Sequence, residues 1–394
     1  MYYPRKLENK LKKYIDSNEI IVLNGMRRVG KTTLYRSLFE SIPSQNKVFI
    51  DMENPIDQKI FEEADYNNIL SNLKVYNINQ DERIYLFLDE IQAKPEITIA
   101  IKYLYDHYDV KFFLTGSSSF YLKNLFPESL AGRKFVFQLH PLDFEELLIF
   151  KGIKIDRFDN LSQISQNKNI IRHEKLKSLY EEYIQFCGFP QVVIEENYDK
   201  KKLHLADIYK SYFEKDVKNL AHFREMTKFR DLILLLLKRT GGKLDITRLS
   251  SELGISRETI YSYISFLEST YFIYLIPPFS KSVDIRVSKA KKIYFCDTGL
   301  INEYVKIDDG FLFENAVFLN LKKYCNEINY FQKSGGSEID FILDDSIGIE
   351  VKIKGVDQDL NKLKQNTSKL NLEKSYIVTK FYDNTASFIS AYDL

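Results

Sequence analysis

The run GMRRVGKT, Gly25 to Thr32, follows directly on the apolar stretch IIVLN, and its reading decides the first half of the chain. Two glycines let the backbone curl until consecutive N–H groups face a polyphosphate, and the helical stretch TTLYRSLFESI that comes next adds its positive end. This is P-loop spacing. Gly25, Met26, Arg27, Arg28, Val29, Gly30, Lys31, Thr32 and Thr33 are therefore expected to cradle ATP or ADP. Lys31 is expected to reach the β- and γ-phosphates, and Thr32 to hold Mg²⁺.

A second apolar run, IYLFLDEIQ from Ile84, ends in two carboxylates, as a strand buried on both faces of a parallel sheet should. Asp89 is expected to reach Mg²⁺ through water and Glu90 to polarise the attacking water. The pair gains weight from the upstream loop, because phosphoryl transfer needs the phosphate cradle and a metal-bearing carboxylate at neighbouring strand ends. A third strand, KFFLTGSSS from Lys111, should lie beside the second. Its hydroxyls offer Thr115, or else Ser117, as a sensor of the γ-phosphate. Arg133 precedes another β-rich run and is either a finger acting in trans on a neighbouring subunit's nucleotide or an ordinary surface arginine.

The series GMRRVGKT, LFLDEIQ, LTGSSS and LAGR…LHPLDFEEL resembles the prokaryotic AAA+ ATPases whose C-terminal half is a domain of unknown function. The segments CGFPQVV (Cys187 to Val193) and KKIYFCDTGL (Lys291 to Leu300) are similar to that companion domain. The resemblance covers nearly the whole chain and departs from it at Cys187, where many relatives have glycine. It implies an ATPase core and self-association into a homo-oligomer.

Composition bounds the rest. The chain has 394 residues, enough for two or three cores, and a net charge of +1, so no global field demands nucleic acid and any such contact must be local. Three scattered cysteines, Cys187, Cys296 and Cys325, argue against a disulfide framework and for a reducing, cytoplasmic setting. The charged, periodic opening MYYPRKLENKLKKYI is not a signal peptide, and the apolar runs are too short for a bilayer. Strands near 20–24, 47–51, 84–88, 111–115 and 135–139 alternate with helices, the α/β pattern of a doubly wound parallel sheet. That domain is expected over 1–155, followed by a helical linker or lid region, 156–230, whose first residues to 169 read as a polar loop.

The segment 231–280 reads as a winged helix-turn-helix, with a helix Ile246 to Leu253, a turn at Gly254 and a second helix from Ser256, its N-cap. Arg257, Glu258, Thr259 and Tyr261 would stand at its exposed start, with Arg257, Thr259 and Tyr261 as candidate DNA contacts. Packing rather than DNA reading is the equal alternative, since that helix is not basic. The strip KSVDIRVSKAKK supplies Lys281, Arg286, Lys289, Lys291 and Lys292 against Asp284, a surplus able to track phosphates or simply a solvated face.

The last part, 281–394, contains INYFQKSGGSEIDFILDDSIGIEVKIK. Its alternation sends Ile339, Phe341, Leu343, Ile349, Val351 and Ile353 one way and Glu338, Asp340, Glu350 and Lys352 the other. A hairpin about Asp345 sets Asp340 against Glu350, a repulsion that a divalent cation would relieve. With Glu314 on the preceding helix, this D…ExK arrangement is similar to the restriction-endonuclease-like nuclease superfamily. The likeness implies an α/β fold of that kind, Mg²⁺ or Mn²⁺ on Asp340, Glu350 and Glu314, catalytic help from Lys352, and a weak further candidate in Gln365. Two functions follow: an ATP-hydrolysing protein that binds and cuts duplex or branched DNA, or a nucleotide-controlled switch or scaffold whose C-terminal half binds a partner and cuts nothing.

Overall fold

The computed structural model describes residues 2–116, 132–217, 225–333 and 336–394. By compactness it divides into Met1–His140 with Ser269–Tyr271, and Pro141–Glu268 with Phe272–Leu394. Ser117 lies outside the described residues.

The first unit is built on a five-stranded parallel sheet of β1 (Ile20–Asn24), β2 (Lys47–Asp51), β3 (Ile84–Asp89), β4 (Val110–Gly116) and β5 (Lys134–Gln138). Every strand pair is parallel, in the spatial order β2-β3-β4-β1-β5. Alternate side chains serve the two faces. Ile20, Val22, Leu86, Leu88, Phe112 and Leu114 enter a core shared with Ile101 and Leu104 of the helix Ile97–His107. On the other face Phe87 stacks on Phe113 with centroids 4.2 Å apart, and Tyr35 of the helix Lys31–Ser41 meets both rings edge-on. One expectation needs correcting: β4 stands between β1 and β3, so the loop and the acidic pair are not on neighbouring strands.

In the second unit the first helix spans Phe144–Phe150, capped by the Asp143 carboxylate and followed by Gly152 at φ +71°. The polar interval after it contains a short helix, Leu161–Gln166, capped by Asn160. Long helices Ile170–Phe186, Tyr198–Ser211 and Met226–Leu237 follow. The helix-turn-helix consists of Ile246–Leu253, Gly254 in the left-handed region and Arg257–Ser269. Its wing is an antiparallel pair, β6 (Ile273–Ile276) and β7 (Lys292–Phe295).

The C-terminal part runs from the helix Asp309–Leu321 through β8 (Ile328–Gln332), β9 (Glu338–Leu343) and β10 (Ile347–Lys352) to the helix Asp357–Leu370, β11 (Lys374–Thr379) and β12 (Phe388–Ser390). β8, β9 and β10 form an antiparallel meander, and β11 and β12 continue the sheet in parallel. Phe341, Leu343, Ile349 and Val351 share one core with Phe313, Ala316 and Val317. The opposite face is not a solvated one, because Asp340 is 7% exposed and Ile342 is fully buried.

The segments around Cys187 and Asp297 meet inside this unit. Asp297 Oδ2 accepts from Gly188 N at 2.9 Å while Oδ1 accepts from Leu300 N at 3.2 Å, capping the helix Thr298–Tyr304. A Cβ on Gly188 would come within 2.0 Å of Leu142 O, so only glycine permits this approach. Cys187 is buried at φ 49°, ψ −141°, backbone that suits glycine and costs another residue about 1–3 kcal/mol. Its thiol offsets part of that strain by donating to Asp297. The expected consequence is an inverted ranking: Cys187→Gly should melt higher than Cys187→Ala, although alanine fills more of the site. Calorimetry checks it, and the ordinary order, alanine above glycine, would refute the strain.

Candidate functional site

The loop after β1 is shaped by close approach. Gly25 sits at φ +151°, where a Cβ would lie 2.2 Å from Leu139 O, and Gly30 at φ +96° turns the chain into the helix Lys31–Ser41. A buried guanidinium that the sequence did not single out braces the loop: Arg5 donates to Val29 O and to His140 O, each at 2.8 Å. No motif marks Arg5, since its contacts are to backbone far along the chain. Lys31 Nζ donates to the carbonyls of Gly25 at 3.0 Å and Met26 at 3.2 Å and lies 3.9 Å from Glu90. Its side chain is buried, so the ammonium is already held at the loop.

Asp89 links the loop to the sheet. Thr32 Oγ1 donates to Asp89 Oδ2 at 2.7 Å, and Thr115 Oγ1 donates to Oδ1. Thr115 also accepts from Glu90 N at 2.8 Å, which fixes Glu90 at φ 53°, ψ 50°. Gln92 Nε2 donates to the Glu90 carboxylate. Burial pushes the Asp89 carboxyl upward, against the lowering effect of the two threonine hydroxyls. Lys31, Thr32, Asp89, Glu90 and Thr115 therefore converge, with Thr115 reaching across because its strand is the inserted one. Its hydroxyl proton is committed to Asp89. The donor set fits a magnesium nucleotide: a glycine cradle that a side chain would fill, a hydroxyl and carboxylate in contact, and a buried ammonium.

Arg133 lies elsewhere. Its carbonyl accepts from Ile20 N, at the start of β1 and hence the end of the sheet opposite the loop, and its guanidinium pairs with Asp106 at 3.0 Å. The strand length separates it from the loop by about 16 Å at roughly 3.3 Å per residue.

In the C-terminal sheet the register ends at Ile349↔Phe341, and just beyond it Glu350 and Asp340 come close enough for their charges to repel. Asp340 Oδ2 accepts from Val351 N at 2.9 Å, and Glu350 pairs with Lys352 at 2.8 Å. Glu314 joins them and accepts from Tyr294 OH. The cation among them comes from the wing: Lys292 Nζ lies 2.9 Å from Glu338, 3.6 Å from Asp340 and 3.7 Å from Glu314. Its side chain is 5% exposed, so Lys292 does not stand on the expected basic strip. These residues do not fit a divalent ion, and among the described residues no group of three His, Cys, Asp or Glu is arranged to hold one.

The remaining strip is also thinner than its composition suggests. Arg286 pairs with Asp345 at 2.7 Å and Glu327 at 3.2 Å, whereas Lys281 and Lys289 are exposed and Lys291 half-buried. On the helix-turn-helix, Arg257 and Tyr261 are exposed, and Thr259 is taken up in the cap: its N–H donates to Ser256 Oγ at 3.1 Å. A recess of about 250 Å³ beside this motif is lined by Lys238, Arg239, Lys243, Asp245 and Arg248, of which Arg239 and Arg248 pair with Glu252.

Residues 17–148 match the family model described as AAA domain, consistent with the parallel sheet and its P-loop. Residues 177–310 and 309–390 match two models described as domains of unknown function, DUF8612 and DUF4143. An uncharacterized protein of Methanocaldococcus jannaschii is 29% identical over 83% of this chain and 72% of its own length, and a second from the same organism 27% identical over 86% and 76%. An uncharacterized protein of Mycobacterium tuberculosis is 23% identical over 77% of this chain and 60% of its own. Among solved structures, the Aeropyrum pernix ORC1 protein in complex with DNA covers 82% of this chain and 95% of its own at 11% identity and a TM-score of 0.34, a global likeness too loose to carry function. Among the described residues no helix is long and apolar enough to cross a membrane.

The electrostatics of the carboxylate nest make a pH test possible. Burial, then the Asp340 charge, pushes Glu314 and Glu350 each up to about 7. A carboxyl raised in the fold contributes stability that is complete below its unfolded value near 4.5 and is lost as pH climbs through about 7. Glu350→Gln should therefore flatten the fall in Tm between about pH 5 and 7.5 relative to the parent. Parallel Tm profiles would refute it.

Proposed function

We propose that this chain is an ATP-hydrolysing P-loop protein whose C-terminal half engages DNA without cutting it. The observation that carries the first part is the hydrogen-bonded chain Thr32–Asp89–Thr115–Glu90, which ties the phosphate loop to the catalytic carboxylate across an intervening strand. Thr32 and Asp89 would hold Mg²⁺, which supplies charge neutralisation to the β- and γ-phosphates when bound. Lys31 exchanges its loop carbonyls for phosphate oxygens. Glu90, with its backbone fixed by Thr115 and its carboxylate held by Gln92, orients and polarises the attacking water. Arg133 is too far from its own loop to act in cis, so a finger role for it would be in trans and would make a homo-oligomer part of the proposal.

The DNA part is supported by the helix-turn-helix with its wing and by exposed Arg257, Tyr261, Lys281 and Lys289. The second reading, a nucleotide-controlled binder that breaks no bond but that of ATP, is favoured over a nuclease by Lys292 among the carboxylates.

Lys31→Ala should abolish ATP binding, and Glu90→Gln should keep binding while turnover falls by about 10²–10⁴-fold. Loss of binding in both, or in neither, would overturn these roles. Replacing Lys281, Lys289 and Lys291 together by Ala should weaken binding to duplex DNA and reduce the log K against log salt slope by about 2.7. Fluorescence anisotropy at several salt concentrations measures it; an unchanged slope would remove the wing from the interface. Mixed oligomers of Arg133→Ala and Glu90→Gln subunits should recover part of the turnover, and verified mixtures with none would exclude the trans role.

A further inference from the structure

The carboxylates of the C-terminal sheet converge on an ammonium. Glu314 comes from the helix Asp309–Leu321, Glu338 and Asp340 from β9, and all three approach Lys292 Nζ within 3.7 Å. Glu338 is within hydrogen-bond distance of the ammonium at 2.9 Å, while Asp340 at 3.6 Å and Glu314 at 3.7 Å hold it by charge. The carboxylates have further protein partners. Asp340 Oδ2 takes Val351 N, Glu338 Oε2 takes Gln332 Nε2 at 3.3 Å, Glu314 Oε1 also takes Tyr294 OH, and Glu350 takes Lys352. A divalent ion bound here would need oxygen ligands at about 2.0–2.6 Å and would sit beside a buried like charge.

We infer that Lys292 is the resident cation of this site, standing where the resemblance to metal-dependent nucleases calls for a divalent ion, so that the C-terminal sheet binds no catalytic metal and does not cleave. Because Lys292 belongs to β7, the same ion pairs pin the wing to the sheet. This holds whether or not the wing touches DNA.

The test is Mn²⁺ uptake by the full chain, followed by electron paramagnetic resonance without nucleotide. Parent protein and Asp340→Asn should take up the same amount. Lys292→Met should gain about one equivalent, lost again when combined with Asp340→Asn. A parent whose Mn²⁺ uptake drops by an equivalent in Asp340→Asn overturns the inference, and that comparison decides even where Lys292→Met fails to fold. A folded Lys292→Met chain that gains no Mn²⁺ also overturns it. Duplex nicking by the parent that needs both Mn²⁺ and Asp340 would do the same.

Discussion

The carboxylate of Asp89 is shared by two threonine hydroxyls that arrive from different directions, Thr32 from the helix after the loop and Thr115 from β4. The sheet order makes this necessary. With β4 inserted between β1 and β3, the loop and the acidic pair are a strand apart, and the sheet alone would not bring them into contact. Thr32 spans that gap by donating directly to Asp89, while Thr115 on the inserted strand holds the acidic pair in place, donating to Asp89 and accepting from the Glu90 N–H. The stacked Phe87 and Phe113 beneath it keep the two strands in register, and Tyr35 carries the helix onto the same rings. Packing in the interior thus sets distances at the strand ends, where tolerances for phosphoryl transfer are small.

Among the buried lysines of the described residues, Lys31 and Lys292 are used in opposite ways. Lys31 is held by weak acceptors, two loop carbonyls, with Glu90 at the margin of ion-pair distance. Such a lysine can change partners at modest cost when a stronger anion is offered. Lys292 is surrounded by carboxylates and sealed beneath a tyrosine ring, Tyr330, with its centroid 5.7 Å away. Removing it would leave buried like charges facing one another, the costly half of a broken internal ion pair. The first is an arrangement for binding, the second for permanence.

The companion segments CGFPQVV and KKIYFCDTGL have a structural use that is independent of catalysis. Asp297 receives the backbone of Gly188 and the start of its own helix, and Gly188 allows the chain to pass against Leu142. Sequence segments more than a hundred positions apart are thereby locked at one carboxylate.

Local chemistry determined what the sequence alone could show. The glycine spacing around Lys31, the apolar runs ending at Asp89 and Thr115, and the cap at Ser256 are properties of contiguous residues, and the strands, the loop and the helix-turn-helix appear where those signals place them. Tertiary structure alone decided which strand lies between which, that Arg5 braces the loop, and that Lys292 leaves a basic run to enter a carboxylate nest. The reason is physical. A charge run reports only how many like charges are adjacent in the chain, whereas the partner that neutralises each one is chosen by burial. Burial is settled by elements distant in sequence, and for Lys292 these were a helix and a strand that begin more than fifteen residues later.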